Sequence, residues 1–384
     1  MLKSSLNTSD PNHIYYDLQI INNDTTGTKA PVKLEFNETR NSPFLSVPSD
    51  YYISVIRFNI DTGNSLPVFI PYSKIGQSDV NKLIYTVTMT YKVGANVVQY
   101  QQNLNFVPQN LAAPIPPAPT EFQYLESDYY FIYSFSHWIN KIVNKALSDC
   151  YDGLNTAVIA AGGVLPTINK PFFVWDDATG IAKLYAPKVG FDNDTLASIG
   201  IYMNSPLFNL FSSTEALYLG YNNITFGKNY AINVYNKNNT NIQTINGVDY
   251  YIMGQEYSCG PLYSPISSLV FSTGLIPVAP SMSSIPKVFN SEAGLFSNGN
   301  NSNIENIITD FEIGLSKGTE WRPNVSYAPS AEYRLFDLYG NNPLNTVQIN
   351  CYWKDDFGGL HPFYLGSGCA ADIKIMFRKK NVMD

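Results

Sequence analysis

The chain has 384 residues, enough for one large β domain or two ordinary ones. Charged residues are 14% of it, against about 25% in an average soluble chain, whereas Tyr (28) and Phe (22) are abundant. A net charge of −7 excludes broad attraction to phosphate, and the aromatic content excludes a disordered chain.

The opening Met1-Leu2-Lys3-Ser4-Ser5 leads into polar residues without the apolar core of a secretory signal, and no apolar run reaches the length of a membrane span. Residues 14–21 (IYYDLQII) predict a strand, either an arm that reaches a neighbour or an edge of the chain's own sandwich. Residues 51–60 (YYISVIRFNI) predict a second. The clearest alternation lies at 83–93. Leu83, Tyr85, Val87, Met89, Tyr91 and Val93 share one face, with Thr86, Thr88, Thr90 and Lys92 on the other. A period of two predicts a strand with one buried face. The segment Ala112–Pro119 (AAPIPPAP) predicts a stiff extended connection.

One segment has a different period. From Phe135, apolar residues recur at Trp138, Ile139, Ile142, Val143, Ala146, Leu147, Cys150 and Tyr151, which traces one face of a helix. Ser134 or Ser136 can cap its start. The expected place for this helix is against the sheets. Further strands are predicted at 172–175, 182–186, 230–235, 248–256, 267–273, 306–313, 332–338, 347–353 and 371–378. The Asn-rich stretch 222–246 reads as an exposed hairpin or loop, and 297–303 (SNGNNSN) as a surface loop. Many short strands between Gly, Pro and Asn clusters predict an all-β sandwich or barrel. The basic run Arg378-Lys379-Lys380 reads as a solvated chain end.

The chemistry is sparse. The three histidines, His13, His137 and His361, sit in unrelated contexts, and no nucleophile, phosphate-loop or zinc-protease motif occurs. Cys150, Cys259, Cys351 and Cys369 lack metal spacing and read as free, buried thiols. Asp176-Asp177 and Asp355-Asp356 each precede glycine between strand runs. Both pairs read as hairpin turns, because Asp bonds its own backbone and Gly supplies positive φ. Their spacing is not diagnostic of calcium. The sequence therefore offers no catalytic, cofactor-binding or metal residue, and the expectation is a protein that is not an enzyme.

Longer strings carry a resemblance. HIYYDLQIIN (13–22), YYISVIRFNIDTGNSLPVFIP (51–71), ITDFE (308–312), EYRLFDLYGNNPL (332–344), VQINCYWKDDFGGLHPFYL (347–365) and ADIKIMFRKK (371–380) resemble the minor capsid, or penton, proteins of polinton-like viruses, virophages and related double-jelly-roll DNA viruses. SFSHWINKIVNKAL (134–147) and FFVWDDATGIAKLYAP (172–187) also fit. The resemblance implies a single jelly-roll sandwich of two four-stranded sheets, with loop insertions and the amphipathic helix packed on it. The implied division is an N-terminal arm and first strand (1–45) and a jelly-roll domain (46–384), with a protruding insertion at about 155–260. It further implies a homopentamer at a capsid vertex, bordered by capsomers of the major capsid protein, in the virion, with no specific nucleic-acid binding, no cofactor and no membrane span. A double-jelly-roll major capsid protein and a carbohydrate-binding attachment module are the alternatives.

Overall fold

The structure is a computed structural model. It describes residues 11–380 except 25, 27–31, 64, 75–78, 80, 110–129, 220–226, 239, 283–287, 291–293, 297–303, 314–323, 329–333 and 357. The proline-rich segment 112–119 and the loop 297–303 thus lie outside the described residues. The chain is mostly β with one long helix. Its main elements, in chain order, are β1 (His13–Ile21), β2 (Glu35–Thr39), β3 (Tyr51–Asp61), β4 (Lys82–Val93) and β5 (Asn96–Asn105). Next come α1, made of Phe135–His137, Trp138–Val143 and Asn144–Ala160, then β6 (Phe172–Asp176), β7 (Ile181–Pro187) and β8 (Gly200–Met203). β9 (Ala216–Tyr218), β10 (Tyr230–Ile232), β11 (Ile242–Ile245), β12 (Val248–Gly254), β13 (Ile266–Ser272) and β14 (Ile307–Glu312) follow. The last are β15 (Asn324–Tyr327), β16 (Phe336–Asp337), β17 (Thr346–Asp355), β18 (Leu360–Pro362) and β19 (Ala370–Lys379). These divide into two compact units, one of Met1–Leu66, Pro265–Gly314 and Arg322–Asp384, the other of Pro67–Ser264 and Leu315–Trp321.

The first unit holds two antiparallel sheets. One has the order β1-β19-β3-β15, with β16 also on β3; the other runs β14-β13-β17-β18, with β2 also on β17. Their inner faces meet through Phe58, whose ring lies 5.1 Å from Phe271 and 5.0 Å from Phe311. The alternation in 51–60 changes phase midway. A bulge opposite Lys374/Ile375 skips Ile56, so Ile53 and Val55 on one side of it and Phe58 and Ile60 on the other all face the core. β1 is an edge strand of this sheet, paired along its whole length with β19 (His13↔Arg378 to Ile21↔Ala370). The basic run is not a loose end. Arg378 and Lys379 lie in β19, and the Lys380 N–H donates to Asp50 O at 2.8 Å.

The second unit has a sheet of order β9-β10-β8-β4-β5 and another of order β11-β12-β7-β6. α1 packs on β4 and β5 of this unit, not on the sandwich of the first. Its start is capped by Ser134, whose Oγ accepts from the His137 N–H at 3.4 Å, and it extends well past Tyr151 to Ala160. The Trp138 ring is fully buried against Phe69 (4.8 Å) and Tyr85 (5.7 Å). Both faces of β4 are buried at its centre: Val87 and Met89 on one side, Thr86, Thr88 and Thr90 on the other. Thr88 can be buried because its hydroxyl donates to the Gly227 carbonyl at 3.1 Å.

β5 has too few apolar residues to announce itself, but its turn is readable. Gly94 and Ala95 alone separate it from β4, and Gly94 has φ +60°, a conformation glycine adopts at little cost. A second close approach fixes α1 over β5. A Cβ placed on Gly153 would lie 2.3 Å from the Tyr100 ring. Gly153→Ala is expected to lower stability by about 1–2 kcal/mol, the overpacking outweighing the gain in helix propensity. In a Tyr100→Ala background the same change should instead raise the melting temperature. A stabilising effect in the wild-type background would show that the ring does not sit there.

Candidate functional site

The two acidic pairs are hairpin turns, as their sequence predicts. After β6, the N–H groups of Thr179 and Gly180 donate to the Asp176 carbonyl (3.3 and 2.8 Å), and the Ala178 N–H donates to Asp176 Oδ1 (3.1 Å). Lys183 Nζ lies 3.0 Å from Asp176 Oδ2. Hydrogen bonds from Lys183 and Thr179 hold the Asp176 carboxyl below its ordinary range. Lys183→Ala should therefore raise the Asp176 titration midpoint, as read by carboxyl-carbon NMR. An unchanged midpoint would remove Lys183 from this role. The sign for stability follows: a lowered carboxyl favours the folded state above its unfolded pKa, and that contribution disappears as pH falls through the folded value.

The second turn contains a contact that the sequence did not suggest. β17 alternates strictly, with Val347, Ile349, Cys351 and Trp353 buried, and this phase carries the Asp355 side chain inward as well. A buried carboxylate needs donors. The Gly359 N–H donates to Oδ1 at 2.8 Å, and His361 Nε2 lies 2.7 Å from Oδ2. β18 pairs His361 with Trp353, and the two rings stack at 4.1 Å. The signal was present as an acid and a histidine flanking Gly358-Gly359 at hairpin spacing. Asp356 follows at the corner of the turn, where desolvation of its carboxyl and the neighbouring Asp355 raise it above its ordinary range. Ser267 Oγ donates to the carbonyls of Lys354 and Asp355 (3.2 and 3.4 Å), so its proton is committed to backbone. The cluster is a clasp on the hairpin.

The other histidines stand elsewhere. His13 stacks with Tyr15 on β1, and His137 Nε2 contacts the Val107 carbonyl at 2.7 Å. The four cysteines are free thiols, three of them buried. Burial pushes the Cys150 thiol up to about 12 and that of Cys351 well above its usual value, so neither is a thiolate nucleophile at neutral pH. Among the described residues, no group of acids, histidines and cysteines is arranged to hold a metal, and no helix is long and apolar enough to cross a membrane.

What remains are surfaces. On the outer face of the first unit's β1 sheet, a hollow of about 690 Å³ is lined by Asp17, Arg57, Asp372 and Lys374 among others. Arg57 lies 3.3 Å from Asp17 and 3.6 Å from Asp372, and Lys374 is 3.1 Å from Asp17. Two acids and two bases offset one another, so this face attracts neither sign of ligand. In the second unit, a hollow of about 540 Å³ lies among Leu165–Asn169, Lys188, Val189 and Gly247–Asp249. Its aliphatic rim is exposed, Ile168 by 89% and Val189 by 65%. Such surfaces suit contact with other chains better than catalysis.

Comparisons with known proteins point the same way. The sequence model of the family described as Sputnik minor capsid protein V18/19 matches residues 14–379. Structural protein V19 of the Sputnik virophage is 27% identical over 215 residues, covering 55% of this chain and 94% of V19. Sputnik protein V18 is 29% identical over 172 residues, covering 43% of this chain and 92% of V18. A chain of the Sputnik virophage structure, determined by cryo-EM at 3.5 Å resolution, superposes with a TM-score of 0.75 at 27% identity, covering 96% of this chain and 98% of that one. The mavirus penton protein, at 14% identity, shares the fold, with a TM-score of 0.65 over 96% of this chain and 99% of its own.

Proposed function

The chain belongs to the Sputnik minor capsid protein V18/19 family, and from that premise we propose that it forms the vertex of an icosahedral capsid, five copies closing into a ring. It is a structural protein of the virion. The observation that carries the reading is the family match across residues 14–379, together with a Sputnik virion chain that superposes over nearly the whole length. The likeness to the mavirus penton protein supports the same position in the shell.

The strand order supports a single jelly roll as the underlying fold. Taking β1, β2, β3, β13, β14, β15, β17 and β19 as eight strands, one sheet holds the first, eighth, third and sixth. The other holds the fifth, fourth, seventh and second. Two interlocked Greek keys give this arrangement. The inserted body in this reading is Pro67–Ser264, between the third and fourth strands, wider than the 155–260 expected from the resemblance, and β1 is the first strand of the roll. A ring joins subunits head to tail, so each copy presents two different patches, one to each neighbour. The major capsid protein's capsomers are the outer partners. The reading is non-enzymatic: His361 is stacked on Trp353 and bound to Asp355, and His137 is bound to backbone.

Light scattering across a concentration series tests this. A species of about five times 42.9 kDa is the expected result, alone or on adding the major capsid protein. A trimer would favour a major capsid protein instead, and a chain that stays monomeric with its capsid partners present would end the ring reading.

A further inference from the structure

Among the described residues, Asn246 alone has a positive φ (50°) without being glycine. Gly247 follows at φ 80°, and this pair alone separates β11 from β12, with Ile245 and Val248 opposite each other in register. Positive φ at both central residues makes a type I′ turn, for which asparagine then glycine is the favoured sequence. Both residues are exposed, and a Cβ placed on Gly247 would meet nothing within 4 Å. Neither the Asn246 side chain nor the Gly247 N–H has a hydrogen-bond partner among the described residues. Asn204, which precedes Ser205, is held differently. Its Oδ1 accepts the N–H groups of Thr86 (3.1 Å) and Leu207 (3.2 Å), and its Nδ2 donates to the Ile84 carbonyl (2.8 Å).

We propose that Asn246 is a self-modification site, losing its side-chain amide through a cyclic imide formed with the Gly247 nitrogen. In the first step the Gly247 nitrogen gives its proton to solvent base and bonds to Asn246 Cγ, and the Cγ–Nδ2 bond breaks to release ammonia. Water then opens the ring. Cleavage of the imide at Cγ gives aspartate. Cleavage at the main-chain carbonyl gives isoaspartate, in which the chain runs through the former side chain.

The turn supplies the geometry. The ring closes when the Gly247 nitrogen eclipses Asn246 Cβ about the Cα–C bond. That needs ψ of about −120°, the angle of the first central residue in a type II′ turn, the mirror image of type II. Types I′ and II′ differ by rotation of the peptide between the two central residues, and both suit a hairpin. Gly247 can follow that rotation because glycine takes either sign of φ, so the reactive shape forms with Ile245 and Val248 still paired. For asparagine this backbone shape is strained, which keeps it about ten- to a hundredfold less populated than the resting turn.

The products change the surface on which they form. Each places a carboxylate next to Gly247, on the hollow that Lys188 and Asp249 also line. Isoaspartate in addition lengthens the backbone of a turn that sets the register of β11 on β12.

A time course on the folded full chain in mildly alkaline buffer tests this, read by peptide mass spectrometry with enzymatic labelling of isoaspartate. The chain unfolded in urea serves as the reference. In the folded chain Asn246 should convert about a hundredfold faster than Asn204, whose amide must first give up its hydrogen bonds, and both products should form. A Thr244→Cys/Asp249→Cys variant separates turn rotation from hairpin opening. These residues face each other beside the turn, and a disulfide between them holds the two strands together. Asn246 of this variant should convert at the same rate whether the disulfide is closed or reduced. Conversion in urea with none in the folded wild-type chain would overturn the proposal. Conversion that stops when the disulfide is closed would overturn it too, since the reaction would then need an open hairpin.

Discussion

Val87→Asp is expected to yield no soluble, monodisperse protein. Val87 is fully buried in β4, paired with Gln102 of β5 and Met203 of β8, on the same face as Tyr85. No basic side chain is paired with it in the register. An uncompensated buried charge costs about 3–5 kcal/mol, beyond the lost burial of the valine, against a total stability of about 5–15 kcal/mol for a typical domain. Insoluble expression, or a protein whose strands exchange freely, is the predicted outcome. A soluble mutant of wild-type oligomeric mass would show that this face of β4 is not enclosed.

The second large effect lies in the other unit. Phe58→Ala should lower stability by about 3–5 kcal/mol, since it removes a fully buried ring from the contact between two sheets. The ring touches Phe271, Phe311 and Tyr327, and Phe271 and Phe311 also touch each other at 5.8 Å, so the space cannot close by moving one neighbour. Hydrogen exchange should rise in β3, β13 and β14 while β4 and β5 change little. An unaltered melting curve would mean that the two sheets do not meet at Phe58. Phe58→Leu should recover most of the loss, because it returns most of the apolar volume.

Local pattern carried much of this structure and failed where the reasons were not local. The strand at 83–93 is legible because its apolar residues alternate, but the same alternation predicts a solvated threonine face, and that face is buried. Threonine allows both outcomes, and only the Gly227 carbonyl, distant in sequence, decides for burial. The helix was legible from Phe135 to Tyr151, yet periodicity reports which face is buried and not what covers it, so its partner sheet was misplaced. β5 went unseen because its stability comes from Gly94, β4 and α1 rather than from its own composition. The clasp of Asp355 and His361 needed the phase of β17 and the register of β18 together.

The pairing of β1 with β19 has a consequence for how the chain is made. The ribosome delivers β1 and β3 early, but the strand that lies between them, β19, spans Ala370–Lys379 and is made long after both. Until then residues 13–61 lack the central strand of their sheet, whereas both parts of the other unit, Pro67–Ser264 and Leu315–Trp321, have already been made. At about 5–20 residues per second the interval is about 15–60 seconds. During it the nascent chain has no finished sandwich to offer a neighbour, so the architecture postpones assembly until β19 has been made.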